Sequence, residues 1–229
     1  MRGLRLRAAG GIMPPMRRKS LLGCSLASLA LLVVGGCALG RPAHAAKAAR
    51  PQADWRDVAT SGDKDRLRRW RDAWTQALAQ IAASGDSGQL AAHPVLTTPD
   101  AALDDPTPPP GDYSCRTYKL GTQIKGGLNY VSYPPYTCRI RRTRGGELHF
   151  DKLNGSQRPS GLLYPDDGRR LIFLGTMTLG DETRPSLYGL DAERDMIGIF
   201  ERTGPKAWRL VLPFPRWEST LDVIELNAP

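Results

Sequence analysis

The sequence predicts an α+β fold, in which a short N-terminal helical segment precedes a small antiparallel β-barrel or sandwich of about eight strands. Two observations carry this. Leu67, Trp70, Trp74, Leu78 and Ile81 recur three and four residues apart, the period of one helix face. From Asp112 onward, short β-preferring runs follow one another between Gly, Asp and Pro turn signals. A third feature pins two of those runs together. Tyr113-Ser114-Cys115-Arg116 and Tyr136-Thr137-Cys138-Arg139 are near copies, each carrying one cysteine.

The chain opens on an export signal. Arg17-Arg18-Lys19 forms a basic flank, Leu21 to Val34 an apolar run, and Val34-Gly35-Gly36-Cys37 a bacterial lipobox. Small residues before the cut suit a signal peptidase, and the Cys37 thiol is placed to carry diacylglycerol. Residues 1–36 are therefore expected to leave as a signal peptide, whose length suggests Met16 as the true start. Residues 37–53, rich in Ala, Arg and Pro, read as a flexible tether from lipidated Cys37. Three other readings of the leader compete: cleavage after Ala45 at Ala43-His44-Ala45, giving a soluble periplasmic protein; an uncleaved span over Ser20–Gly40; and a twin-arginine signal at Arg17-Arg18. In each the rest of the chain is exported. The expected place is the cell envelope, facing the periplasm at the outer membrane, with the membrane as partner through Cys37.

The leader also accounts for most of the charge. The chain has net charge +9, but residues 1–37 hold six of its 32 Lys and Arg and none of its 23 Asp and Glu. The remainder is close to neutral and contains no nucleic-acid module, so no nucleic-acid partner is expected. Of four cysteines, Cys24 leaves with the leader and Cys37 is acylated. Cys115 and Cys138 remain, an even pair in an oxidising compartment. With no C-x-x-C spacing and only three histidines, the pair reads as a disulfide rather than a metal site. Closing a loop of about two dozen residues is worth roughly 3 kcal/mol on chain-entropy grounds. No cofactor or metal is expected.

Residues 54–98 form the helical segment. Ser61 is the candidate N-cap, Asp63 and Asp65 suit the positive helix end, and Gly85 fits the stop. Its Trp-bearing stripe packs on its own domain or docks a partner. Residues 99–111, with Pro99, Pro106, Pro108, Pro109 and Pro110, read as a stiff linker. Residues 112–229 form the disulfide-stapled β-domain. Its candidate strands are Tyr113–Lys119, Tyr136–Thr143, Glu147–Lys152, Ser160–Tyr164, Leu171–Thr178, Met196–Arg202, Trp208–Leu212 and Leu221–Leu226. Pro134-Pro135 breaks any strand starting at Tyr130. Trp208, Leu210 and Leu212 alternate with Arg209 and Val211, a half-buried pattern.

Several stretches together have a familiar look: Asp54-Trp55-Arg56-Asp57-Val58-Ala59, Gly111-Asp112-Tyr113-Ser114-Cys115-Arg116-Thr117, Gly155-Ser156-Gln157-Arg158-Pro159 and Leu221-Asp222-Val223-Ile224-Glu225-Leu226. Over nearly all of 54–226 the chain resembles an uncharacterised family of bacterial envelope proteins, domain-of-unknown-function family four-eight-nine-three. The resemblance implies one coherent unit and brings no activity and no catalytic residues. In layout alone, the chain is also similar to small exported eight-stranded barrels such as lipocalins and barrel-type metalloprotease inhibitors, which carries no function by itself.

No catalytic motif stands out, and no catalytic residue is assigned. His149 alternates with Leu148 and Phe150 as a solvent-facing strand residue. Asp166-Asp167 and the Asp191, Glu193, Asp195 cluster are the only carboxylate groupings that could work as an acid–base pair, and both also read as turns. The candidate ligand site is the polar loop with Asn154, Ser156, Gln157 and Arg158, whose alternative reading is a fastened turn. A second candidate is an anionic-surface patch of Arg116, Arg139, Arg141, Arg142 and Arg144, which also reads as a charged edge against aggregation. The leading expectation is a non-enzymatic binding or structural module that engages an envelope protein or an anionic envelope component. The alternatives are a lipocalin-like carrier of a small apolar ligand or a barrel-type protease inhibitor, and a carboxylate-based hydrolase.

Overall fold

A computed structural model describes residues 52–229. The signal peptide, Cys24, Cys37, Ala45 and the tether up to Pro51 lie outside the described residues. The helical segment comprises α1 (Trp55–Val58), α2 (Ser61–Arg68) and α3 (Trp70–Ser84). The cap of α2 is Thr60 rather than Ser61: the Thr60 hydroxyl accepts from the Asp63 amide at 3.2 Å. Arg69, with φ −96° and ψ 19°, breaks the expected single helix in two, and Gly85 ends α3 at φ +84°. Leu67, Trp70, Trp74 and Ile81 are buried and Leu78 packs at their margin, so the stripe docks on its own domain. Each such side chain contributes about 1.5–3 kcal/mol by leaving water.

The strands are β1 (Gly111–Leu120), β2 (Tyr130–Ser132), β3 (Tyr136–Arg142), β4 (Leu148–Lys152), β5 (Gln157–Pro165), β6 (Arg170–Leu179), β7 (Asp195–Gly204), β8 (Ala207–Pro213) and β9 (Leu221–Asn227). All neighbours pair antiparallel in chain order, and β1 pairs with both β3 and β9. That last pairing closes eight strands into a barrel and excludes the sandwich. The ninth, β2, is the upstream half of the β3 course. It pairs with β1 at Tyr118–Leu120, where β3 has run out. Pro134 and Pro135 carry no N–H to continue the ladder, so the course is cut there and β2 has no strand on its other side.

Side chains alternate between the barrel interior and its outer wall. Phe150, Phe173 and Phe200, all 0% exposed, fill the interior with Ile140, Leu163 and Leu210. They fit because β5 and β6 come together at Gly161 and Gly175. A Cβ on Gly175 would collide with the Ser160 carbonyl and the Phe173 ring. Cys115 and Cys138 are bonded within this interior, with Cα atoms 5.9 Å apart and a sequence separation of 23.

The outer wall over β6–β9 and β1 is covered by α2 and α3, with Ile172, Leu174, Ile199, Val211 and Val223 beneath them. Arg209, expected on a solvent face, is therefore fully buried. It pairs with Glu201, also fully buried, and donates to the carbonyls of Val95, Thr98 (2.9 Å) and Pro99 (2.7 Å). Its guanidinium lies 4.7 Å from the Trp74 ring. The Pro-rich 99–111 stretch is strapped to the barrel in the same way, with Trp208 Nε1 donating to the Pro106 carbonyl at 3.0 Å and Leu103 bridging Arg202.

Candidate functional site

Loops 121–129, 153–156, 180–194 and 214–220 all lie at one end of the barrel, because each joins strand ends that point the same way. The polar loop belongs to this end. Two of its members fasten it: Asn154 Oδ1 accepts from the Thr137 amide at 3.3 Å, and Arg158 donates to the carbonyls of Gly155, Gly180 and Glu182. The other two, Ser156 and Gln157, line a cavity of about 280 Å³ in the barrel mouth.

Three side chains absent from the sequence candidates define the chemistry of this mouth. Lys119, Lys152 and Asp222 continue the interior phase of Cys115, Phe150 and Ile224, so each points into the barrel just where its strand reaches the open end. The signal was present in the period-two pattern as a charge in an apolar phase. Lys119 Nζ lies 3.0 Å from Glu218 and 3.3 Å from Asp222. Burial works against its charge, and the two carboxylates outweigh it and keep the ammonium protonated. Lys152 has no such partner. Its Nζ sits 4.3 Å from the Tyr136 ring, whose hydroxyl bonds Thr117. Burial, and then the charge of Lys119, push Lys152 down to about 8.

Next to the mouth, under the loop that follows β1, lies a furrow of about 230 Å³ walled by Ile124, Leu128 and Val131. Lys119, Tyr133 and Glu218 line both spaces. The rim between β8 and β9 holds Phe214 at φ +44° and Glu218 at φ +68°. A non-glycine residue pays for that conformation, and such strain collects where a loop is held for a purpose.

The arginine patch is largely committed to neighbours on the outer wall. Arg139 makes two bonds to Asp112 (2.6 and 2.9 Å), and Arg141 one to Asp151 (2.9 Å). Arg142 donates to the Gly146 carbonyl and Arg116 to Ser132, while Arg144 is exposed in the turn after β3. Burial disfavours the Asp151 carboxylate, yet hydrogen bonds from His149, Ser160 and Arg141 bring it down to about 2. The carboxylate groupings do not converge. Asp166 accepts from Trp55 Nε1 (2.9 Å) and Arg56 (2.6 Å), latching α1. Asp167 caps its own turn at the Arg169 amide. Asp191 and Asp195 lie at the other end of β6, bonding the amides of Glu193 and Gly189. Among the described residues no three His, Cys, Asp or Glu come together as a metal site.

A family model described as domain of unknown function (DUF4893) matches residues 55–226. The chain belongs to this family. No curated protein and no solved structure matches the chain. The DUF4893 match runs from the first residue of α1 into β9, the strand that closes the barrel, so helices and barrel form one family unit. Lys119, Lys152 and Asp222 all fall inside the DUF4893 region. Among the described residues no helix is long and apolar enough to cross a membrane.

Proposed function

We propose that this DUF4893 protein is a lipid-anchored envelope protein, held at the outer membrane through Cys37 and facing the periplasm, that works as a non-enzymatic binding module. Its ligand seat is the barrel mouth. The lipobox supports the anchor. One observation carries the seat: the barrel is filled through its middle and opens at this end into a cavity lined by Lys119, Lys152 and Asp222. Six of the eight exposed large apolar side chains of the described residues also sit at this end, on Ile124, Leu128, Tyr133, Leu153, Leu187 and Leu190. Three of them, Ile124, Leu128 and Tyr133, line the mouth or the furrow beside it, and exposed apolar area at a cavity favours a ligand or partner there. The filled interior argues against a deep apolar calyx of the lipocalin kind, and the separated carboxylates argue against a hydrolase.

The test is native mass spectrometry of the protein released from its own envelope. Wild type is expected to carry a small molecule, and Ser156→Trp, an exposed loop position that places an indole in the mouth, to lose it without a fall in Tm. A wild type with nothing bound, or a Ser156→Trp protein that keeps its molecule, contradicts the seat. In the same preparations Cys37→Ala should leave the membrane fraction and lose the acyl mass. Unchanged fractionation contradicts the anchor.

A further inference from the structure

We propose that the ligand of the barrel mouth is an anionic amphiphile: a single alkyl chain bearing a carboxylate or phosphate, with its head on Lys152 and its chain in the furrow beneath the loop that follows β1. This rests on the reading of the mouth as the ligand seat and names the class of molecule it takes.

The charges of the mouth are unequally satisfied. Lys119 already faces two carboxylates, Glu218 and Asp222. Lys152, on the same cavity wall, has no ion pair among the described residues: its ammonium lies against the face of Tyr136 and feels the Asp222 carboxylate only at longer range. An ammonium over an aromatic ring is stabilised modestly, far less than by an acid in the same partly desolvated place. Arg158 adds a second positive charge on the same side. Its hydrogen bonds go to backbone carbonyls, and its charge is felt by the Glu182 carboxylate, which pairs with Arg194. The lip beside Lys152 offers the Ser156 hydroxyl and the Gln157 amide, groups that donate to an oxyanion. A carboxylate or phosphate at Lys152 therefore meets a cation, a hydroxyl and an amide, while the two carboxylates of the same cavity, Glu218 and Asp222, stay paired with Lys119.

The apolar part has its own place. The furrow opens directly beside the cavity, with Tyr133, Lys119 and Glu218 as common walls, and its apolar sides are Ile124, Leu128 and Val131. Ile124 is 53% and Leu128 74% exposed, apolar area that an alkyl chain would cover. The two spaces, about 280 and about 230 Å³, each fall short of the roughly 300 Å³ at which ligand pockets begin, and together they lie within that class. A compact anion would leave the furrow bare, and a neutral chain would leave Lys152 unmatched. The amphiphile uses both.

The experiment holds the full chain in zwitterionic nanodiscs and follows binding by isothermal titration calorimetry, with empty discs as the blank. The probes are octanoate, octyl phosphate, octanol and inorganic phosphate. Octanoate and octyl phosphate should each bind at one site per chain, and the tighter of the two tells a free fatty acid from a phosphorylated lipid as the source. Octanol and inorganic phosphate should bind at least about tenfold more weakly. Lys152→Met should cost the two anionic probes about tenfold or more and leave octanol unchanged, and Lys152→Arg should retain most of the binding. Leu128→Glu, at an exposed position, should weaken the octyl anions but not inorganic phosphate. Octanol binding as tightly as octanoate, or anion binding that survives Lys152→Met, overturns the proposal. If Ser156→Trp removes a bound molecule from the native protein while no octyl probe binds, the mouth stands as the seat and the amphiphile fails. If neither is seen, both fall.

Discussion

Replacing Arg209 by methionine is expected to lower the free energy of unfolding by about 3–5 kcal/mol, the range for removing one partner of a buried ion pair. The reason lies on the outer wall of β8. Arg209 and Glu201 have no contact with water, and α3 and the 94–99 segment lie over them. Without the guanidinium, Glu201 keeps only Arg170 at 3.2 Å, and the carbonyls of Val95, Thr98 and Pro99 lose their donor. Unpaired buried acceptors then add to the cost of an isolated carboxylate. The second variant separates charge from packing: Arg209→Met with Glu201→Met together should recover part of the loss. Urea denaturation measures both, through the midpoint at unchanged slope. A loss below about 1 kcal/mol for the single substitution would mean that water reaches the pair and that the strap does not seal the wall.

The second large effect belongs to the disulfide. Cys115→Ala with Cys138→Ala should cost about 3 kcal/mol through the unfolded chain alone, since the bridge closes a loop of about two dozen residues. In a protein of this size that loss corresponds to a fall in Tm of about 6–12 °C. The site of the bridge adds to the effect. It ties β1 to β3 next to the point where Pro134-Pro135 interrupts the ladder, so the cross-link holds the seam where the backbone pairing is broken. Calorimetry of the double variant against the oxidised wild type measures it. Equal midpoints would contradict the account.

Much of this architecture was legible in the residues, for physical reasons that also explain what was not. The eight barrel strands were readable because each is a short β-preferring run between turn residues, and α3 because its stripe of tryptophans and leucine keeps one period. β2 was not, since three residues ahead of a proline pair carry too little pattern. The choice between barrel and sandwich turns on β1 meeting β9, a pairing between residues more than a hundred positions apart that no local pattern encodes. Arg209 departs from the pattern because alternation assigns a face and not what covers it; the covering comes from α3 and from the 94–99 segment. Ser156 and Gln157 do line the mouth, whereas Asn154 and Arg158 spend their bonding capacity on backbone groups. Lys119, Lys152 and Asp222 do not stand out in the sequence because a charged residue near a strand end ordinarily faces water. Their phase with Cys115, Phe150 and Ile224 places them inside.

The barrel mouth as the seat of the ligand is the central claim, and it is tested most directly by a crystal structure of the protein isolated from its native cells with whatever it carries. The account predicts non-protein density in the mouth, with a polar end against Lys152 and Gln157 and the remainder running toward Leu128. A bound molecule on the outer wall beside Arg139 and Arg141, with the mouth closed by its own loops, would contradict it.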